Sequence, residues 1–370
     1  MKLGIMTIHK AMNYGAVLQA TGLYQYMEGQ YPSACEIIDY EMNPRICETV
    51  AEKQKLINVL KRKAQRLLQL RGMRARIQRF NTFKESNYRL SGETYCGDEQ
   101  IKKNPPRYDA YISGSDQIFN LKLTNTSKAY YLDFVQDKRK IAYSSSFGMG
   151  GLNEEDMEQI KDLLLSYDHI SIRERSAVEP LQQLLNKPII ATCDPVFLLD
   201  AQQWEAKMEK VRIPDRYILI YAMSNNPNLH ETLHWLRKKE KLPVIILKNG
   251  TYSLPVRGRM VRNAGPAEFL YLMKHATYVL TNSFHGTAFS VIFGRKFFCL
   301  EEEKYIADHR YGQMLHCAGI DGCVTPYNTD WENFDFEAHL MDGAQVYNSL
   351  RSWIEQSKSF LNESITQEKE

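Results

Sequence analysis

The chain has no apolar run approaching the ~20 residues that a membrane-spanning helix needs, so no helical span is expected. No charged–apolar–small signal opens it either, because Met1 leads straight into the strand-like run KLGIMTIH. Charge of one sign is scarce: 47 basic against 44 acidic residues leave +3, which is no footprint for nucleic acid. The cysteines number seven, are scattered, and form no CxxC. An odd, scattered set is not a disulfide framework, and several of these cysteines lie in apolar strands. Reduced core thiols in a cytoplasmic protein are therefore expected. His316, Cys317 and Cys323 have the wrong spacing for a zinc knuckle, so no metal is assigned. The sequence also lacks GxGxxG, GxxxxGK[ST] and GxSxG. These absences exclude the usual dinucleotide fingerprint, the P-loop and the hydrolase nucleophile elbow. There is no internal repeat and no low-complexity segment.

What is present is ordinary globular chemistry, 44% hydrophobic and 25% charged. At 370 residues two domains are expected, since single cores stop growing near 250–300 residues. Short apolar strands alternate with helical patterns in both halves. That alternation reads as α/β, with two doubly wound parallel sheets. The expected limits are 1–212 for a first Rossmann-like domain, 213–345 for a second, and 346–370 for a C-terminal helix with a polar, frayed tail after Leu361.

The most telling stretch is Tyr278-Val-Leu-Thr-Asn-Ser-Phe-His-Gly-Thr-Ala-Phe-Ser-Val-Ile-Phe293. Tyr278 to Leu280 reads as a buried strand, and Thr281-Asn282-Ser283 offers N-caps. A helical pattern resumes through Ala288 and Ile292. His285 and Gly286 thus fall at a strand-to-helix turn, where an open sheet presents helix N–H groups to an anion. A His there can hold the anion and move a proton, or simply cap its helix.

Other polar residues collect at the same kind of position. Asn13 and Tyr14 begin a turn after the first strand. Asp116 follows Tyr108–Ile112, in Ser-Gly-Ser-Asp-Gln, which also reads as a plain turn. Ser144 ends the strand from Lys140, and Arg173, Glu174 and Arg175 follow His169–Ile172. Asp194-Pro195 follows Ile189–Thr192 and reads as structural. An Arg directly after a buried strand suits an anion, because its fork matches phosphate or carboxylate; a surface ion-pair cluster is the other reading.

Residues 53–79 are different. They hold ten Lys or Arg and no Asp or Glu, with Leu56, Val59, Leu60, Leu67 and Leu70 at helical spacing. This is a basic amphipathic helix, or a pair broken at Gly72. It is either a solvated basic face or a surface for anionic lipid.

Five blocks in this order resemble the polysaccharide pyruvyltransferase family: Gly4-Ile-Met-Thr…Asn13-Tyr-Gly-Ala-Val-Leu-Gln-Ala20, Tyr108-Asp-Ala-Tyr-Ile-Ser-Gly-Ser-Asp-Gln-Ile-Phe-Asn120, Ala142-Tyr-Ser-Ser-Ser-Phe-Gly148, Ile170-Ser-Ile-Arg-Glu-Arg…Asp194-Pro195 and Thr281-Asn-Ser-Phe-His-Gly286. The resemblance runs from residue 2 to about residue 320. It implies two Rossmann-like domains in a GT-B-like arrangement. It also implies transfer of a pyruvyl group from phosphoenolpyruvate to a sugar, closing a cyclic ketal without a further cofactor. Carried over, Arg173 and His285 bind the donor, with Asn282 and Ser283 beside them. Many members have an Arg where this chain has Ser283; either another base (Arg175, Lys248 or Arg310) replaces it, or the donor is different. Asp116, Glu174 and His285 are the candidate acid and base groups. Asn13, Tyr14 and Ser144 are candidate acceptor contacts. Members often act on lipid-linked sugars of cell-surface polymers, which would suit a peripheral membrane contact through residues 53–79. A GT-B glycosyltransferase using a nucleotide sugar is the alternative; no sugar-nucleotide signature supports it.

Overall fold

The structure is a computed structural model that describes residues 1–42, 64–148, 154–224, 226–247, 256–301, 312–327 and 329–367. The chain divides into two compact units. The first comprises Met1–Leu70, Lys84–Leu198 and Ile354–Glu370; the second comprises Arg71–Phe83 and Leu199–Trp353.

The first unit is built on β1 (Leu3–Met6), β2 (Cys35–Glu41), β3 (Leu90–Cys96), β4 (Ala110–Ser113), β5 (Arg139–Ser145), β6 (His169–Ile172) and β7 (Ile189–Ala191). They form one sheet in the order β3-β2-β1-β4-β5-β6-β7, parallel at every pairing. The central strands β1 and β4 are buried at every position, which is why they read as uninterrupted apolar runs. They pair in register, Leu3 with Ala110 through Met6 with Ser113. Order reverses between these two strands, and such a switch point opens a crevice at the carboxyl ends. Helix Tyr14–Gln30 is buried along most of its length. At Gly22 a Cβ would come 2.4 Å from the Pro195 carbonyl oxygen, so that helix–loop approach needs glycine.

The second unit carries β8 (Ile218–Tyr221), β9 (Val244–Leu247), β10 (Arg259–Val261), β11 (Tyr278–Thr281), β12 (Lys296–Cys299) and β13 (Met341–Asp342). Their order is β10-β9-β8-β11-β12-β13. All pairings are parallel except the short edge strand β13, which runs antiparallel to β12. Its switch point lies between β8 and β11. Both units are therefore Rossmann-like, as expected, with one antiparallel edge strand that the sequence reading did not include.

Other expectations change. Strand β3 was not anticipated: its residues Leu90, Glu93 and Thr94 are exposed and its sequence, LSGETYC, has no apolar run. An edge strand with a wet face carries no such signal. The basic helix is not broken at Gly72, since one helix runs Ala64–Asn87. A glycine inside a helix costs only about 1 kcal/mol, and flanking turns hold it. The C-terminal helix Gly343–Thr366 does not fray after Leu361; Leu361 and Ile365 are both buried. Cys35, Cys193 and Cys299 are buried free thiols, and burial pushes the Cys35 thiol up to about 12. Cys96, by contrast, is disulfide-bonded, so the expectation of reduced thiols fails there.

Candidate functional site

Each unit presents a polar constellation at its own switch point. In the first unit, β4 ends at Ser113 and the chain turns through Gly114, whose φ is +150°. A Cβ on Gly114 would sit 2.1 Å from the Tyr143 carbonyl oxygen. Only glycine fits that conformation and that approach. The next peptide bond, Gly114–Ser115, is cis, and Asp116 follows at φ +64°. The Asp116 carbonyl accepts from the Ser146 N–H at 3.0 Å. Asp116 is thereby placed beside the end of β5.

Ser146 is the hub of the cluster. Its hydroxyl donates to the Glu174 carboxylate. It accepts from the Arg173 guanidinium at 2.7 Å and from the Gly148 N–H at 3.0 Å. One donor and two lone pairs are all a serine hydroxyl has, so Ser146 is fully used. Arg173 also donates to Asp194 at 3.1 Å and pairs with Glu174 at 3.9 Å. Glu174 accepts the Phe147 N–H at 3.3 Å. Arg173 is 4% exposed and Asp194 1%. Burial raises the Glu174 carboxyl above the ordinary carboxylate range, although Arg173 and Ser146 pull the other way. A carboxylic acid with a raised pKa beside a crevice is what a general acid needs. Arg173, expected to bind the donor, donates to Asp194 and Ser146 and pairs with Glu174. Asp194 is structural, as expected: its second oxygen accepts the Val196 N–H at 3.1 Å.

The expected acceptor contacts divide. Asn13 is half-buried and caps helix Tyr14–Gln30, accepting from Gly15 at 2.8 Å and Ala16 at 3.4 Å. Tyr14 and Ser144 have no exposed surface and cannot touch a ligand. Tyr14 sits on the buried face of its helix, and Ser144 lies inside the sheet with its N–H donated to Ser171.

Sequence reading missed a second group in this unit. His9 and Lys10 follow β1, and Asp39 lies in β2. His9 contacts Asp39 at 3.1 Å through Nε2 and the Thr7 carbonyl through Nδ1 at 3.2 Å. Lys10 pairs with Asp39 at 2.8 Å. Burial alone would raise the Asp39 carboxyl, but hydrogen bonds from His9, Lys10 and Thr94 hold it well below the usual range. Lys84 joins them, its pKa lowered first by burial and then by Lys10. A His-Lys pair directly after the first apolar run was the available signal.

In the second unit the turn after β11 is neutral. Asn282 accepts the Met223 N–H at 2.7 Å and donates to Ser224 at 3.0 Å, which ties the end of β11 to the end of β8. Ser283 caps helix Phe284–Ile292, accepting from Gly286 at 3.4 Å. The first turn of that helix has no acidic residue, so its positive end is not offset. His285 is half-buried and stands edge-on to Phe284, ring centroids 5.1 Å apart. A Cβ at Gly286 would lie 2.2 Å from Thr281 Oγ1. The glycine lets the helix start tight against β11, with His285 in its first turn.

Arg173, Glu174, Asp116 and Asn13 thus belong to the first unit, and Asn282, Ser283 and His285 to the second. Of the bases that could replace an Arg at Ser283, Arg175 is exposed in the first unit; Lys248 and Arg310 lie outside the described residues. Among the described residues no three His, Cys, Asp or Glu side chains converge as a metal set, and no helix is long and apolar enough to cross a membrane.

No curated protein matches this sequence significantly. Solved structures that resemble it span nearly the whole chain at low identity. The UDP-GlcNAc 2-epimerase of Methanocaldococcus jannaschii, in complex with UDP-GlcNAc and UDP, is 12% identical over 96% of this chain and 93% of its own, with a TM-score of 0.49. A putative UDP-N-acetylglucosamine 2-epimerase from Listeria monocytogenes is 12% identical over 98% and 91%, TM-score 0.47. The E. coli ADP-heptose lps heptosyltransferase II is 11% identical over 97% and 100%, TM-score 0.35. None of these likenesses bears on what this chain does. The sequence model of the polysaccharide pyruvyl transferase family matches residues 13–303, a span that includes the Asn13 turn, the Arg173–Glu174 cluster and the Asn282–His285 turn. The chain belongs to the polysaccharide pyruvyl transferase family and is a transferase.

Proposed function

We propose that this transferase moves a pyruvyl group from phosphoenolpyruvate to a sugar of a cell-surface polysaccharide or its lipid-linked precursor, closing a cyclic ketal. The family match over residues 13–303 carries this reading.

The donor brings a phosphate and a carboxylate. The uncompensated helix N-terminus at Ser283, with Asn282 and His285, is suited to such anions. C3 of the enol must gain a proton, which makes C2 electrophilic. One sugar hydroxyl attacks C2, the C2–O bond to phosphate breaks, and a second hydroxyl closes the ketal. Of the two hydroxyl protons released, one balances the proton taken up at C3 and the other leaves with phosphate. Glu174, with its raised pKa, is the group best suited to donate a proton. Asp116 is the candidate base, and His285 serves the leaving phosphate. Arg173 positions Glu174, and Asn13, at the start of helix Tyr14–Gln30, is the candidate acceptor contact. No metal or redox cofactor enters these steps.

The enzyme would work in the cytoplasm and touch the inner membrane face. Residues 53–63 lie outside the described residues. In the described part of the basic segment, Met73 and Ile77 are 54% and 39% exposed one turn apart, beside exposed Arg74. Apolar side chains flanked by bases suit an anionic lipid surface. Arg79 is already held by Glu268 at 2.9 Å.

The test is phosphate release from phosphoenolpyruvate with a panel of galactosyl and N-acetylmannosaminyl acceptors, free and lipid-linked, followed by mass spectrometry. A product carrying a pyruvate ketal is expected. A nucleotide-sugar donor turned over in place of phosphoenolpyruvate would replace this reading with a glycosyltransferase.

A further inference from the structure

Gln19 has no exposed surface, in a stretch of helix Tyr14–Gln30 where Val17, Leu18, Ala20 and Leu23 are equally buried. A glutamine is kept in such a place where hydrogen bonds replace its water. Its oxygen accepts the Ser115 backbone N–H at 3.1 Å. Its nitrogen donates to the Thr7 hydroxyl and to the Ala16 carbonyl, both at 2.9 Å, with the Ile8 carbonyl at 3.4 Å. A backbone N–H can only donate and a carbonyl can only accept, so these partners fix which way round the amide sits. The Ala16 bond stays within the helix. The Thr7 and Ser115 bonds join the chain just after β1 to the chain just after β4, across the switch point of the first sheet.

Ser115 is held at every polar atom. Besides the Gln19 bond, its carbonyl accepts from the Thr7 hydroxyl at 3.5 Å, and its own hydroxyl donates to the Ser144 carbonyl at 2.7 Å. It too has no exposed surface. Asp116 comes next, at φ +64°. A residue other than glycine is held in that region by its surroundings. The Asp116 carbonyl is fixed by Ser146, so the Ser115 side is the second fixed point. The side chain of Asp116 is half-buried, and one of its carboxylate oxygens accepts the Gln117 N–H at 2.9 Å.

We infer that Gln19 is a positioning residue. Through Ser115 and Thr7 it fixes the turn that places the Asp116 carboxylate to take a proton from the acceptor hydroxyl, a role that rests on the proposed reading of Asp116 as base. Gln19 itself touches no substrate. A tie that only held the helix to the sheet would lower turnover by the same factor whatever stood at position 116.

The test measures kcat, KM and melting temperature for Gln19→Met, Asp116→Asn and the double variant in the phosphate-release assay. Methionine matches glutamine in length and has neither N–H nor carbonyl. Gln19→Met should lower kcat about 10²-fold, as a misplacement of about 1 Å does, and leave KM for phosphoenolpyruvate unchanged. In the Asp116→Asn background it should lower kcat no further, because residues that act as a unit are not additive. Loss by an equal factor in both backgrounds would overturn the proposal while leaving Asp116 as base. Near-normal turnover of Asp116→Asn alone would sink the base reading, and the positioning role with it. Thr7→Val removes the other half of the tether without touching the Ser115 N–H, and should show the same dependence on Asp116 if Gln19→Met does not fold. Hydrogen exchange of the Ser115 amide reads the tether without turnover. It should be at least tenfold faster in Gln19→Met, and unchanged exchange would overturn the proposal.

Discussion

The two crevices share a topology and differ in charge. Both sit where strand order reverses in a parallel sheet. The first gathers Arg173, Glu174, Asp194 and Asp116 around Ser146, with His9, Lys10 and Asp39 nearby. Among the described residues the second presents Asn282, Ser283 and His285 on a helix end with no acidic residue in its first turn. In the proposed reaction the first would move protons and the second would receive the anion. The sheet supplies a place for chemistry, and the turn residues decide which chemistry.

The comparison can be broken from the anion side first. His285→Ala should lower kcat about 10²- to 10⁴-fold with an unchanged melting temperature. Near-normal turnover would remove His285 from the mechanism. On the other side, Arg173→Met would strand the Glu174 and Asp194 carboxyls in a buried cluster. Removing one partner of a buried ion pair costs about 3–5 kcal/mol, so its denaturant midpoint should fall well below that of His285→Ala.

Glu174→Gln sharpens the contrast through pH. The folded-state pKa of Glu174 is raised, so the folded chain holds this proton more tightly than the unfolded chain does. Its contribution to stability therefore falls as pH rises from the ordinary Glu value, about 4.3, through the raised value. The Gln variant should be the more stable of the two above that window and equal below it, while losing the alkaline limb of its rate profile. Asp39→Asn has the opposite sign. Asp39 is held below its ordinary range, so its stabilisation is present above about pH 4 and lost on acidification. That variant should be weaker at neutral pH and converge with the parent in acid. Urea midpoints across pH separate the two outcomes.

The smallest expected effect is that of Ser283→Arg. It adds the cation that many family members carry, and should lower KM for phosphoenolpyruvate severalfold. It also removes an N-cap, at about 1 kcal/mol. An unchanged KM would show that another group already meets that charge.

Most buried elements were legible because burial on both faces leaves a continuous apolar run. β6 matches its expected limits, His169–Ile172, and the Asn282–His285 turn fell where polar caps interrupt such a run. Strand β3 was not legible, because an edge strand with a wet face shows no apolar run. Tyr14 and Ser144 were misplaced for a related reason. A turn position says that a residue is near a strand end, and not which way its side chain points.

The order of apolar and polar residues along the chain determined the two parallel sheets, the strand-end location of polar groups, and the family. Only the tertiary structure decided that Arg173 meets Asp194 and Glu174 and that His9 meets Asp39 across 30 residues. Periodicity is a local property of sequence. Charge pairing and pKa depend on which side chains lie within a few ångströms and how much water reaches them, and both are set by packing between elements distant in the chain.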